Sequence, residues 1–166
     1  MAKFARYLIA LGSNIRHPRH GDPRRVVAAA VAALSEAGLA IEAVSPLIAS
    51  APLGPSRRRY ANAAAIVSSG LAPEALLDRL QAVEQAFGRR RRGSRWRARV
   101  LDLDLILWSE GPWASRRLIL PHPEYRRRRF VLVPASMIAP DWRDPLTGLS
   151  LRHLRHRLGR ATPRSA

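Results

Sequence analysis

The stretch "RWRARVLDLDLILW", Arg95 to Trp108, sets two aspartates into a run that otherwise reads as a buried β-strand. Asp102 and Asp104 alternate with Leu101, Leu103, Leu105 and Leu107. On a strand, residues i and i+2 share a face, roughly 7 Å apart, so the aspartates project together and the four leucines are expected on the opposite side. Burying an unpaired carboxylate costs several kcal/mol or neutralises it. A same-side pair therefore points to a solvated sheet surface or to a site that uses the charge.

Working outward from this strand gives the order of elements. The segment 89–99 is basic, contains glycine and has little reason to be regular. Before it, "APEALLDRLQAVEQAFG" reads as a helix. Pro73 suits the first turn, Leu76, Leu77, Leu80, Val83 and Phe87 form its buried stripe, and Gly88 supplies the stop. "YANAAAIVSSG" (60–70) reads as a strand, 51–59 as a proline- and glycine-marked loop, and 39–50 as a strand that Pro46 demotes in part to an edge or bulge. A helix from about Asp22 carries Val26, Val27, Ala30, Val31 and Leu34, and the first strand is residues 5–12, ending at Gly12. Beyond the Asp-x-Asp strand lie a short strand, a proline-bounded turn and one or two short helices, then an arginine-rich tail from 148 to 166 whose end frays. The order strand–helix–strand–strand–helix–strand predicts an α+β fold. Its core is a ferredoxin-like split βαβ unit, with an antiparallel sheet and helices packed on it.

Composition narrows the function. The 166 residues suit a single domain, and the lack of cysteine excludes disulfides and thiolate metal sites. No run reaches the roughly 18 apolar residues of a membrane span, so no membrane partner is expected and a cytoplasmic protein is. The formal charge is +17, and of 29 basic residues only Lys3 is lysine. Such charge suits nucleic acid or the phosphates of a nucleotide. Aromatic residues make up only 6%, which argues against a stacking platform for single strands.

Two carboxylates on one strand face can hold Mg²⁺, which takes one or two protein carboxylates and fills its shell with water and substrate phosphate. Arg89, Arg91, Arg92, Arg95, Arg97 and Arg99 precede them, and guanidinium matches phosphate bidentately. A glycine-containing arginine loop with Trp96 in it suits a lid over a polyphosphate, although a solvated charge run is the plainer alternative. His122 sits between two prolines in a rigid turn. Tyr60 and Asn62, at i and i+2, offer a ring and an amide on one face.

Together these residues resemble a known family. "YLIALGSN" (7–14), "APLGP" (51–55), "YANAA" (60–64), "LAPEALLDRLQAVEQAFGR" (71–89), "RWRARVLDLDLIL" (95–107) and "LPHPEYRRRRFVLVPASMIAP" (120–140) are collinear with the motifs of the 6-hydroxymethyl-7,8-dihydropterin pyrophosphokinases of folate biosynthesis. The resemblance implies transfer of the β,γ-diphosphate of ATP to the pterin hydroxymethyl group, with release of AMP and use of two Mg²⁺ ions. It makes residues 1–160 one pyrophosphokinase domain and 161–166 a tail. Asp102 and Asp104 match the metal-binding aspartates, Arg89 and Arg99 catalytic arginines, and Trp96 the lid tryptophan, in reach of both substrates. Gln81, Glu84, Arg91, Leu105, Arg117, His122 and Arg128 match nucleotide contacts. Ser50, Leu53, Tyr60, Asn62 and Phe130 match pterin contacts. ATP and the hydroxymethyl-dihydropterin are the implied partners of a monomer, with no role for nucleic acid. The family's R-W-G-P-R reads Arg95-Trp96-Arg97-Ala98-Arg99 here. That departure keeps open a paralogue with the fold but altered turnover, and the charge alone keeps open a basic nucleic-acid module.

Overall fold

A computed structural model describes residues 3–50, 60–88 and 100–161. Strand β1 (Ala5–Ser13) lies at the centre, antiparallel to β4 (Tyr60–Ser69) on one side and to β5 (Asp102–Trp108) on the other. β2 (Ala40–Val44) and β3 (Ile48–Ser50) both pair antiparallel with β4, which gives the order β2–β4–β1–β5. Helices α1 (Pro23–Glu36) and α2 (Pro73–Ala86) complete the split βαβ core. The chain continues through a hairpin of β6 (Trp113–Ala114) and β7 (Ile119–Leu120), a 3-10 turn at Tyr125–Arg127, and helices α3 (Arg129–Ile138) and α4 (Leu151–Ala161).

The sheet separates two cores. On one side Tyr7, Ile9 and Leu11 of β1, alternate residues of β4, and Leu101, Leu103 and Leu105 pack against Val26, Val27, Ala30, Leu34, Leu76 and Leu80 of α1 and α2. On the other side Leu8, Ile66, Ile106 and Leu107 meet Val131, Leu132 and Ala135 of α3 and Leu151 and Leu154 of α4. Asp22 caps α1, accepting the Arg25 N–H at 3.0 Å, and Pro23 opens the helix.

Four details differ from the sequence reading. Leu107 does not join the other three leucines, because β5 bulges: Leu8 faces Leu107 while Ile9 faces Leu105, so Ile106 is an extra residue and Leu107 turns into the second core. Gly12 does not end β1 but lies within it, opposite both Asn62 and Asp102. Residues 39–50 form two strands, not one. In the gap, Ser45 stitches the edge to β4 by accepting the Ala64 N–H at 2.9 Å, and Pro46 occupies the break. The arginine-rich tail contains an eleven-residue helix, since Leu151, Leu154 and Leu158 recur on one face and dock on the second core.

Candidate active site

Alternation with Leu101, Leu103 and Leu105 puts Asp102 and Asp104 on the α3 side of the sheet, opposite Gly12 and Ala10 respectively. Neither is buried. The Asp104 side chain keeps 45% of its exposure. The aspartates therefore sit at a cleft wall, which relieves the cost of charge in an apolar strand. That cleft, about 170 Å³, is lined by Gly12, Ser50, Tyr60, Asn62, Asp102, Asp104, Arg128 and Phe130, together with Ala10 and Leu11. Seven of the residues expected from sequence thus meet in one place, from strands β3, β4 and β5 and from the N-terminal end of α3.

Each wall is held by its own contacts. Asn62 is 4% exposed, and its Nδ2 donates to Ser50 Oγ at 2.6 Å, a bond from β4 to β3. Its Oδ1 stands over Gly12, where an added Cβ would lie 3.0 Å away. Glycine is needed here for close approach of the amide. Across the cleft, the Arg128 guanidinium lies 5.8 Å from the centre of the Phe130 ring, and its Nη1 is 3.8 Å from Asp104 Oδ2. The first contact is a cation–π pair, and the second is a loose, half-exposed ion pair of small energy.

A second cleft, about 300 Å³, wraps the β5 edge on the other side of Asp104. Leu77, Leu103, Leu105 and Ile119 give it apolar walls, and Arg116, Arg117, His122 and Ser115 give it polar ones. His122 is fixed by its N–H to the Ile106 carbonyl at 2.9 Å, and its Nδ1 accepts the Glu124 N–H at 3.1 Å. Burial holds the imidazole below its ordinary pKa, with Arg128 adding to this and Asp104 and Glu124 pulling the other way. Near neutral pH it is a neutral ring whose Nε2 carries the proton, a donor at the cleft wall. Arg117, on the rim, is bound by Asp78 of α2 in an exposed ion pair that lowers the aspartate's pKa.

Asp104 lines both clefts. Leu105, Arg117 and His122 stand together in the second cleft. Gln81 and Glu84 line neither: Glu84 is buried on α2 and Gln81 half-buried one turn earlier. Leu53, Arg89, Arg91, Trp96 and Arg99 lie outside the described residues. Gly12, Ser115 in the β6–β7 turn and Ile119 of β7 were not anticipated. The glycine between Leu11 and Ser13 was the one available signal.

The carboxylates suit a divalent cation of one kind. No cluster of three or more His, Cys, Asp or Glu side chains able to hold a metal exists among the described residues. A closed structural site is therefore not built there, but two adjacent carboxylates at an open cleft match the hard, partly hydrated Mg²⁺ that completes its shell with phosphate. Among the described residues no helix is long and apolar enough to cross a membrane.

Comparison with known proteins gives a consistent result. The sequence model of the 7,8-dihydro-6-hydroxymethylpterin-pyrophosphokinase family matches residues 8–140. The 2-amino-4-hydroxy-6-hydroxymethyldihydropteridine pyrophosphokinase of Pseudomonas aeruginosa is 44% identical over 144 residues, covering 84% of this chain and 84% of that protein. The enzyme of the same name from Synechocystis sp. is 38% identical over 148 residues, covering 89% and 73%. Among solved structures, wild-type Plasmodium falciparum HPPK-DHPS superposes with a TM-score of 0.70 at 10% identity, over 93% of this chain and 44% of the larger one. That likeness is one of fold.

Proposed function

The chain belongs to the 7,8-dihydro-6-hydroxymethylpterin-pyrophosphokinase family, and on that premise we propose that its two clefts are the two substrate sites of one transfer reaction. The activity is that of a folate-biosynthesis pyrophosphokinase: the β,γ-diphosphate of ATP moves to the hydroxymethyl oxygen of 6-hydroxymethyl-7,8-dihydropterin, and AMP leaves. The observation that carries the assignment is Asp104, which lines both clefts and so marks where the donor's phosphates and the acceptor's hydroxyl would meet.

In this reading the first cleft takes the pterin. Asn62, braced by Ser50, presents its amide to the polar edge of the heterocycle, and Tyr60 and Phe130 supply ring faces. The second cleft takes the nucleotide, with the base against Leu77, Leu103 and Leu105 and the donors of His122, Arg116 and Arg117 toward its polar parts. Asp102 and Asp104 would hold Mg²⁺, which when bound neutralises phosphate oxygens.

The reaction is an in-line displacement. The pterin oxygen forms a bond to the β-phosphorus as the bond from that phosphorus to the α,β-bridging oxygen breaks; AMP carries the electron pair away, and the hydroxyl proton is released to solvent. Arg128, between Asp104 and Phe130, stands where it can pair with a transferring phosphate and compensate the charge that shifts to the leaving group. What the protein contributes is alignment and charge compensation in a partly enclosed site. ATP supply favours the cytoplasm as its compartment.

The test is direct. Purified protein given ATP, Mg²⁺ and the dihydropterin forms AMP in step with the pterin diphosphate, and Asn62→Ala raises the KM for the pterin and not for ATP. Equal effects of Asn62→Ala on both KM values would show that the clefts have been assigned to the wrong substrates.

A further inference from the structure

One buried acid takes no part in the transfer as described. Asp144, in the turn between α3 and α4, is fully buried. Its Oδ2 accepts the Tyr125 hydroxyl at 2.6 Å and the Arg126 Nε–H at 2.5 Å, while its Oδ1 accepts the backbone N–H groups of Leu146 at 2.8 Å and Thr147 at 3.2 Å. Four donors thus converge on one carboxylate from two separate stretches of chain. Burial pushes its pKa up, but the Arg126 guanidinium and Tyr125 hydroxyl outweigh that and hold the group below the usual range. It is an anion in the folded protein.

The 3-10 turn it grips is the one that delivers the site. Tyr125 and Arg126 lie between His122 of the second cleft and Arg128 and Phe130 of the first. The Tyr125 N–H bonds to the His122 carbonyl at 3.3 Å, and the Arg128 N–H bonds to the Tyr125 carbonyl at 3.1 Å. Like charges crowd this segment, since Arg126, Arg127, Arg128 and Arg129 are consecutive and Glu124 is the one acid on it. Arg126 is turned inward, its guanidinium 5.1 Å from the centre of the Tyr125 ring. Its Nη2 is buried without a partner, so the Nε–H bond to Asp144 is what offsets the burial of the guanidinium. Without that anion, repulsion and desolvation would both drive Arg126 out to water and carry the turn with it.

We propose that Asp144 is a positioning residue for the diphosphate transfer: by gripping Tyr125 and Arg126 from the α3–α4 turn, it sets where Arg128, Phe130 and His122 stand in the two clefts. The assignment rests on the functional reading above. It predicts coupling between a turn remote from the substrates and the binding of both of them.

The experiment compares Asp144→Asn with Val27→Ala, a core truncation on the opposite face of the sheet. Hydrogen exchange reads the segment without reference to activity. In Asp144→Asn the amides of Tyr125 and Arg128 should exchange at least about tenfold faster while those of β1 and β4 change far less. In the transfer assay, run well below both melting temperatures, Asp144→Asn should raise the KM for ATP and for the pterin, each about tenfold, with kcat changed less. Val27→Ala should leave both KM values and the segment's exchange unchanged. If Asp144→Asn lowers the melting temperature but leaves exchange at 125–130 and both KM values as in wild type, the carboxylate serves stability alone and the proposal fails. It also fails if Val27→Ala raises KM equally. Should Asp144→Asn not fold, Tyr125→Phe removes one bond and keeps the ion pair, and a smaller rise of about threefold is expected, with no rise overturning the proposal. A wild-type protein that forms no AMP would sink the functional reading, and the exchange comparison would still decide the role of Asp144.

Discussion

Replacing Gly12 by alanine tests the first cleft, the proposed pterin site, with a single methyl group. Gly12 is flanked in the sheet by Asn62 on β4 and Asp102 on β5, and the new Cβ would sit 3.0 Å from Asn62 Oδ1. The next nearest atom, the Ala61 carbonyl oxygen, is 4.0 Å away, so the clash falls on the amide alone. Asn62 cannot swing freely, because it is buried and its Nδ2 is tied to Ser50 Oγ at 2.6 Å. To restore ordinary contact, the amide must give by a few tenths of an ångström or break that bond. Small-to-large changes in packed sites cost about 1–3 kcal/mol, and a loss of about 1.4 kcal/mol is tenfold in affinity. The KM for the pterin should therefore rise about tenfold in steady-state assays at saturating ATP. The KM for ATP should not move, since Gly12 lines only the first cleft. An unchanged pterin KM, or an equal rise for ATP, would refute both the contact and the assignment of that cleft.

Other expectations follow from the same geometry. Ser50→Ala leaves the buried Asn62 amide without its partner, so it should cost about 1 kcal/mol and raise the pterin KM alone; calorimetry and kinetics check the two parts. Asp78→Asn frees Arg117 at the rim of the proposed nucleotide cleft and should lower the KM for ATP about twofold at low salt, the effect fading near 0.5 M salt as charges are screened. His122 has a folded pKa below its ordinary value because of burial. As pH falls through the ordinary value near 6.5, the unfolded chain takes up the proton first, so stability present at pH 7 is lost progressively below it. His17, also depressed by burial with His20 and Arg19 nearby, acts in the same direction. Denaturant titrations of His122→Gln should thus show a shallower loss between pH 7 and 5 than wild type, and parallel curves would contradict the role given to burial.

Much of the fold was legible because its signals are periodic. The leucines of α2 and the alternation in β1 and β5 each fix a face, and the element order fixes a topology. The bulge at Ile106 was not legible, since an apolar run "LIL" reads the same with or without a slipped register. The helix α4 was obscured by composition. Six of its eleven residues are arginine or histidine, and three leucines carry the whole pattern.

The site divides in the same way. Asp102, Asp104, Asn62 and Ser50 stand out because polar groups in strands need a reason. Gly12 made no such claim, since a glycine next to a serine looks like the end of a strand. The Tyr125–Arg126–Asp144 network was invisible because its halves are eighteen or more residues apart and arginines in a run read as solvated. Only the fold turns Arg126 inward.

The most direct measurement is a single-turnover reaction with ATP, Mg²⁺ and 6-hydroxymethyl-7,8-dihydropterin, following AMP and the pterin diphosphate together in wild type and in Asp104→Asn. One AMP per pterin diphosphate is expected from wild type. The Asp104→Asn protein should keep its fold but lose turnover by at least about a hundredfold, as weakening the site of a charge-neutralising Mg²⁺ would do. Full activity in Asp104→Asn would contradict the meeting of the two clefts at that carboxylate.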